Sequence, residues 1–206
     1  MLRVGLTGGI GCGKTTVATW MRELGCHVLE ADKMAHEIIA PGQPAYEEVV
    51  REFGREILEP DGRIDRPRLA AIVFRDPSRL ARLNAIVHPR VLAECDRELD
   101  QIERRDPHGV AVIEAALLVE AGHHERLDRL IVVSCTREQQ LERLTNPVYG
   151  RGMTREQAER RIAAQLDPGE KRKLAQEVID CSGTLEETHR QVISLVERLK
   201  RLAASL

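Results

Sequence analysis

The chain has 206 residues, enough for one sizeable core or one core with a small inserted domain. With 42% apolar residues, 31% charged residues and a net charge of −2, it reads as a soluble globular protein, not a general nucleic-acid binder. No apolar run approaches the roughly 18–20 residues of a membrane span, and none before the first glycines forms a signal peptide, so a cytoplasmic protein without a membrane partner is expected.

Leu2, Val4 and Leu6 alternate and then meet glycine, which predicts a short strand entering a loop. Thr16 to Leu24 reads as a helix stopped by Gly25, and Val28-Leu29 as a second strand ending near Asp32. A helix around Lys33–Ala40, a turn at Pro41–Pro44 and a helix to Phe53 follow. Asp61-Gly62 is a turn signal, and helices are predicted at Arg66–Phe74 and Arg79–Val87. His88-Pro89 reads as a helix break, with a long helix beyond it carrying Val91, Cys95, Leu99 and Ile102 on one face.

Val110–Ala115 and Leu130–Cys135 are nearly continuous apolar runs, as strands of a parallel sheet covered on both faces require. Glu177–Asp180 is a weaker fifth strand. Capping boxes at Thr136, Thr154 and Thr184 open three helices, and Asp167-Pro168 opens a fourth. The last helix carries Leu185, Val192, Val196 and Leu199. Strands alternating with helices predict an α/β fold, a doubly wound five-stranded parallel sheet of the P-loop NTPase type. The strandless stretch 34–106 is expected to be a helical insertion in a core made of 1–33 and 107–206.

Gly8-x-x-x-x-Gly13-Lys14-Thr15, between a strand and a helix, satisfies the Walker A pattern. The glycines let backbone N–H groups turn inward as an anion nest, and the helix adds the positive end of its dipole. Gly8, Gly9, Gly11, Cys12, Gly13, Lys14, Thr15 and Thr16 are thus expected to bind ATP or GTP. Lys14 is expected to reach the β- and γ-phosphates, and the Thr15 hydroxyl to ligate Mg²⁺. Cys12 reads as a small residue that fits the loop, with a reactive thiol as the alternative, since helix N-termini lower thiol pKa. The other cysteines, Cys26, Cys95, Cys135 and Cys181, are widely spaced, and no CxxC pair suggests a zinc site or disulfide framework. Small buried hydrophobes are expected.

The absence of an NKxD-type motif argues against a GTPase. A kinase for a small acceptor needs a carboxylate near the acceptor hydroxyl and a basic lid over the phosphates. Asp32, at the end of the second strand, fits the first need, with a helix cap as its other reading. The stretch from Arg137 to Lys173 holds nine basic and six acidic residues. Most read as a solvated helical face with i,i+4 pairs, and the remaining arginines are available for a lid at about 143–165. His123-His124 has no partners at metal-ligand spacing and reads as surface loop.

"GLTGGIGCGKTTVA", "EADKMAHEII", "LNAIVHPRV", "AALLVEAG", "RGMTREQAERRIAAQ" and "VIDCSGTLEE" occur in an order and spacing that resemble the dephospho-coenzyme A kinase family, over nearly the whole chain. The resemblance implies ATP- and Mg²⁺-dependent phosphorylation of the 3′-hydroxyl of dephospho-coenzyme A, completing coenzyme A. It implies a helical substrate-binding insertion and a lid. Asp32 matches the family's base, Lys14 its loop lysine, and Arg143 and Arg151 the region of its lid arginines. His88 and Leu117 fall in blocks on the substrate side, and Asp180–Gly183 matches the segment near adenine. A monomer or weak homo-oligomer is expected. The alternatives are a P-loop kinase for a nucleoside monophosphate or another small hydroxyl compound and, outside enzymes, a nucleotide-dependent switch.

Three places depart from the family pattern. Its third-strand block usually reads Asp-x-Pro-Leu-Leu, whereas here Glu114-Ala115-Ala116-Leu117-Leu118 lacks the proline, predicting a less rigid turn. The family's Asn at "DNSG" is Cys181, which weakens a side-chain role toward adenine. "TNPVYG" (Thr145–Gly150) lengthens the lid.

Overall fold

The computed structural model describes all 206 residues. Five parallel strands form one sheet: β1 (Leu2–Gly8), β2 (His27–Glu30), β3 (Val110–Glu114), β4 (Arg129–Ser134) and β5 (Glu177–Asp180), in the order β2-β3-β1-β4-β5. β1, β3 and β4 bury nearly every residue, which is why their sequences are apolar rather than alternating. β5 lies at the edge and does alternate, with Ile179 buried between exposed Val178 and Asp180. The chain leaves β1 in one direction and its neighbour β4 in the other. The loops after these strands therefore diverge at the carboxyl edge, the edge where open α/β sheets bind ligands.

Helix α1 (Lys14–Glu23) and the last helix, α9 (Leu185–Ala203), pack on one face of this sheet. Val17 and Met21 from α1, and Val192, Leu195, Val196 and Leu199 from α9, cover Val4, Leu6, Val112, Ile131 and Val133. These strand positions repeat every second residue and so point to the same face. Each such large side chain contributes about 1.5–3 kcal/mol by leaving water. Leu185 does not join them, because at the first position of α9 it is 68% exposed.

Two compact units are present: residues 1–30 with 98–206, and residues 31–97. The second is all-helical, with α2 (Ala31–Ile38), α3 (Tyr46–Phe53), α4 (Arg66–Val73) and most of α5 (Pro77–Arg105). Val49, Phe53, Ile57, Leu69 and Val73 are buried. The Asp61-Gly62 turn closes with a Glu59 N–H bond to the Arg63 carbonyl at 2.8 Å.

The expected break at His88-Pro89 is absent, since α5 is one helix of 29 residues. A proline inside a helix donates no hydrogen bond and crowds the preceding turn. Beside the proline, Arg90 Nη1 donates to the Ile86 carbonyl at 2.6 Å and its Nη2 pairs with Glu48 at 2.7 Å.

All three capping boxes form, opening α6 (Arg137–Thr145), α7 (Arg155–Ala163) and α9. The Asp167 side chain accepts from Gly169 N–H at the start of α8 (Pro168–Leu174). The expected helical pairs are present as Arg155–Glu159 and Arg160–Glu156, each contributing only a few tenths of a kcal/mol at the surface.

Candidate active site

The segment between β1 and α1 crosses the carboxyl edge of the sheet. Gly13 caps α1 in a left-handed conformation with φ of 100°, so the helix begins at Lys14, two residues earlier than its sequence pattern suggests. Lys14 and Thr15 thus occupy its first turn. Gly8 is constrained by a close approach: at φ of 153° a Cβ there would stand 2.2 Å from the Val133 carbonyl oxygen of β4. Backbone cannot yield as a side chain would. Gly8→Ala should therefore destabilise the core unit by about 2–3 kcal/mol and lower its melting midpoint by roughly 4–12 °C, measured by thermal unfolding.

The loop is tied on several sides. Cys12 N–H donates to the Gly9 carbonyl at 3.1 Å. Ile10 is held at both polar atoms, its N–H by Gln165 Oε1 and its carbonyl by Gln140 Nε2, each at 2.8 Å. Lys14, only 8% exposed, directs Nζ back across the loop to the Gly8 carbonyl at 3.1 Å and the Gly9 carbonyl at 3.4 Å. Thr15 and Thr16 are exposed.

Of the two expected lid arginines, Arg143 lies against the loop. At the end of α6 its guanidinium donates to the Gly11 carbonyl at 3.2 Å and the Cys181 carbonyl at 3.1 Å. The Arg151 N–H donates to the Arg143 carbonyl at 3.3 Å. Arg151 is exposed in the connection to α7; burial lowers the pKa of half-buried Arg161, and the charge of Arg151 adds to that lowering. The longer connection is a compact turn, with Asn146 Oδ1 accepting from Val148 N–H at 2.8 Å and Tyr149 N–H at 3.1 Å.

The strand edge carries further polar groups. Glu114 ends β3, is buried, and aligns in register with Leu6 of β1 and Glu30 of β2. The turn after it lacks the proline, yet hydrogen bonds tie it down: the Ala116 carbonyl accepts from Lys171 Nζ at 2.8 Å and from Thr7 Oγ1 at 3.4 Å. Leu117, in this turn, is half-buried. Cys181 is buried beside the loop, where a Cβ on Gly13 would meet its Sγ at 3.4 Å. Burial raises its thiol pKa to about 11. The cysteines match the expected buried character except Cys135, which is half-buried.

Asp32 departs from its expected place at the end of a strand. β2 ends at Glu30 and α2 begins at Ala31, so Asp32 stands exposed in the first turn of a helix rather than at its cap. One residue, Ala31, separates it in the chain from Glu30, the last residue of β2. Within the helical unit its charge reaches His88 and His36. Burial lowers the pKa of both imidazoles, and Asp32 partly offsets this. The structure thus brings His88 and Asp32 into one electrostatic neighbourhood.

His36, Gln140, Arg161 and Gln165 were not singled out in the sequence. Buried Gln140 and the two bonds on Ile10 depend on long-range packing and leave no local signal. His123 and His124 form a 3₁₀ turn and are half-buried, not surface loop.

The family model described as dephospho-CoA kinase matches residues 2–187. A relative named dephospho-CoA kinase from Aquifex aeolicus (strain VF5) is 45% identical over 201 residues, covering 98% of this chain and 99% of its own. A crystal structure from Thermus thermophilus superposes with a TM-score of 0.78 at 34% identity, covering 96% of this chain and 97% of that one. A dephospho-CoA kinase structure from Campylobacter jejuni gives 0.69 at 25% identity, covering 96% of both chains.

Proposed function

The chain belongs to the dephospho-CoA kinase family, and from that membership we propose that it transfers the γ-phosphate of ATP to the 3′-hydroxyl of dephospho-coenzyme A. The observation that carries the reading is the Gly8–Thr15 loop at the carboxyl edge of the sheet, with a carboxylate, Asp32, two residues beyond the end of β2.

The loop amides and the N-terminus of α1 bind the β- and γ-phosphates. Lys14 swings from the carbonyls it now holds to the transferring phosphoryl group, and Arg143, already at the loop, adds a second positive charge. The Thr15 hydroxyl, exposed on the first turn of α1, fits Mg²⁺, a hard cation that takes few protein oxygens and is otherwise held by phosphate and water. When bound, that ion neutralises charge on the phosphates. Asp32 orients the 3′-hydroxyl and accepts its proton as the oxygen attacks. Arg151 and Arg161 contribute charge from the lid, 143–165, which excludes water from the transfer. The helical insertion binds the coenzyme A portion of the acceptor, with His88 and Leu117 on the substrate side.

ADP release should be measured with ATP and Mg²⁺, with and without dephospho-coenzyme A, and with AMP, adenosine and shikimate as separate acceptors. Stimulation by dephospho-coenzyme A alone, with coenzyme A as product, is the expected result. Stimulation by another acceptor, or by none, would remove the substrate assignment and leave the phosphate loop standing.

A further inference from the structure

Three thiols stand around the phosphate loop: Cys12 within it, Cys135 just after β4 and Cys181 just after β5. Two of them touch. Cys135 Sγ lies 3.5 Å from Cys12 Sγ and donates to it, although 123 positions separate them in the chain. We propose that Cys12 and Cys135 form an oxidation site, closing to an intramolecular disulfide that stops the loop from binding nucleotide.

The geometry requires a small movement. A disulfide bond is about 2.05 Å long, so the sulfurs must approach by about 1.5 Å from their separation of 3.5 Å. Cys12 lies between Gly11 and Gly13, whose positive φ angles mark a stretch of main chain without side-chain bulk. Drawing Cys12 toward β4 pulls on its N–H, which now bonds the Gly9 carbonyl and shapes the nest. The amides that face phosphate are displaced with it.

The two thiols are chemically unequal. The hydrogen bond from Cys135 holds the Cys12 thiol at about 6, helped by Lys14 and opposed by burial. Cys135, as donor to a forming thiolate and partly desolvated, is pushed far up. Cys12 is therefore the nucleophile at neutral pH and Cys135 the resolving thiol.

Hydrogen peroxide is an oxidant small enough for a buried thiolate. Cys12 sulfur attacks one peroxide oxygen, the O–O bond breaks and hydroxide leaves, giving a sulfenic acid. Cys135 sulfur then attacks Cys12 sulfur. The S–S bond forms, the S–O bond breaks, and the hydroxyl departs with the Cys135 proton as water. Two thiols and one peroxide give one disulfide and two waters, and a small thiol reverses the bond by exchange.

The test treats reduced enzyme with hydrogen peroxide, maps disulfides by peptide mass, and follows ATP binding by calorimetry. The expected result is a Cys12–Cys135 bridge accompanied by at least about a tenfold loss of ATP affinity, restored by dithiothreitol. Cys135→Ser should bind ATP normally and lack the reversible loss. The proposal is overturned if no such bridge forms, if bridged enzyme binds ATP normally, or if the reversible loss persists in Cys135→Ser. The effect on binding rests on the kinase reading, which the untreated reduced enzyme tests separately. The bridge itself is read by mass alone.

Discussion

Asp32→Asn should lower turnover with dephospho-coenzyme A by about 10²–10⁴-fold and leave ATP affinity nearly unchanged. The amide keeps the shape and polarity of the side chain but cannot accept the hydroxyl proton. The residue lies outside the Gly8–Thr15 loop, so phosphate binding has no reason to change. Lys14→Ala provides the contrast, since Lys14 belongs to that loop and its loss should damage nucleotide affinity and rate together. Steady-state kinetics and ATP titration of both variants separate the cases. Near-normal turnover in Asp32→Asn would show that the carboxylate serves only the first turn of α2.

Lys171→Met should destabilise the core unit by about 2–3 kcal/mol, lowering its melting midpoint by roughly 4–12 °C. Lys171 is 1% exposed. Its ammonium pairs with Glu120 at 2.8 Å and donates to the Ala116 carbonyl at 2.8 Å. Methionine matches the stem but abandons both acceptors. The Glu120 side chain keeps 22% of its exposure, so water recovers part of the loss, and the cost falls short of a fully buried pair. Thermal and denaturant unfolding measure it. A shift below about 0.5 kcal/mol, the range of ordinary surface substitutions, would show that the turn after β3 is held by other means.

These two residues also mark the limits of reading a chain in one dimension. Asp32 was legible because a carboxylate after an apolar strand points to the edge where open α/β sheets bind ligands. Its membership of α2 was not, since a strand passing into a helix with no loop leaves no turn signal. Lys171 appeared only as one charge among nine in a basic stretch. Nothing local distinguishes a buried lysine from its exposed neighbours Arg172 and Lys173.

Patterns that repeat within a few residues decided a good deal. Apolar runs specified the buried strands, S/T-x-x-E/Q spacing specified three helix starts, and the glycine pattern specified the turn between β1 and α1. Local rules also erred at Pro89, where the helix continues through the proline.

What sequence by itself determined, then, was the class of fold, the buried strands and the starts of several helices, because each rests on backbone geometry or periodicity over a short span. Tertiary structure alone decided which distant groups meet. The order β2-β3-β1-β4-β5 sets β4 beside β1 and β5 beside β4. That pairing brings Cys135 to Cys12, and Arg143 to the carbonyls of Gly11 and Cys181. Such meetings depend on strand neighbours rather than sequence neighbours, and hydrogen bonds and thiol chemistry act only over the few ångströms that folding creates.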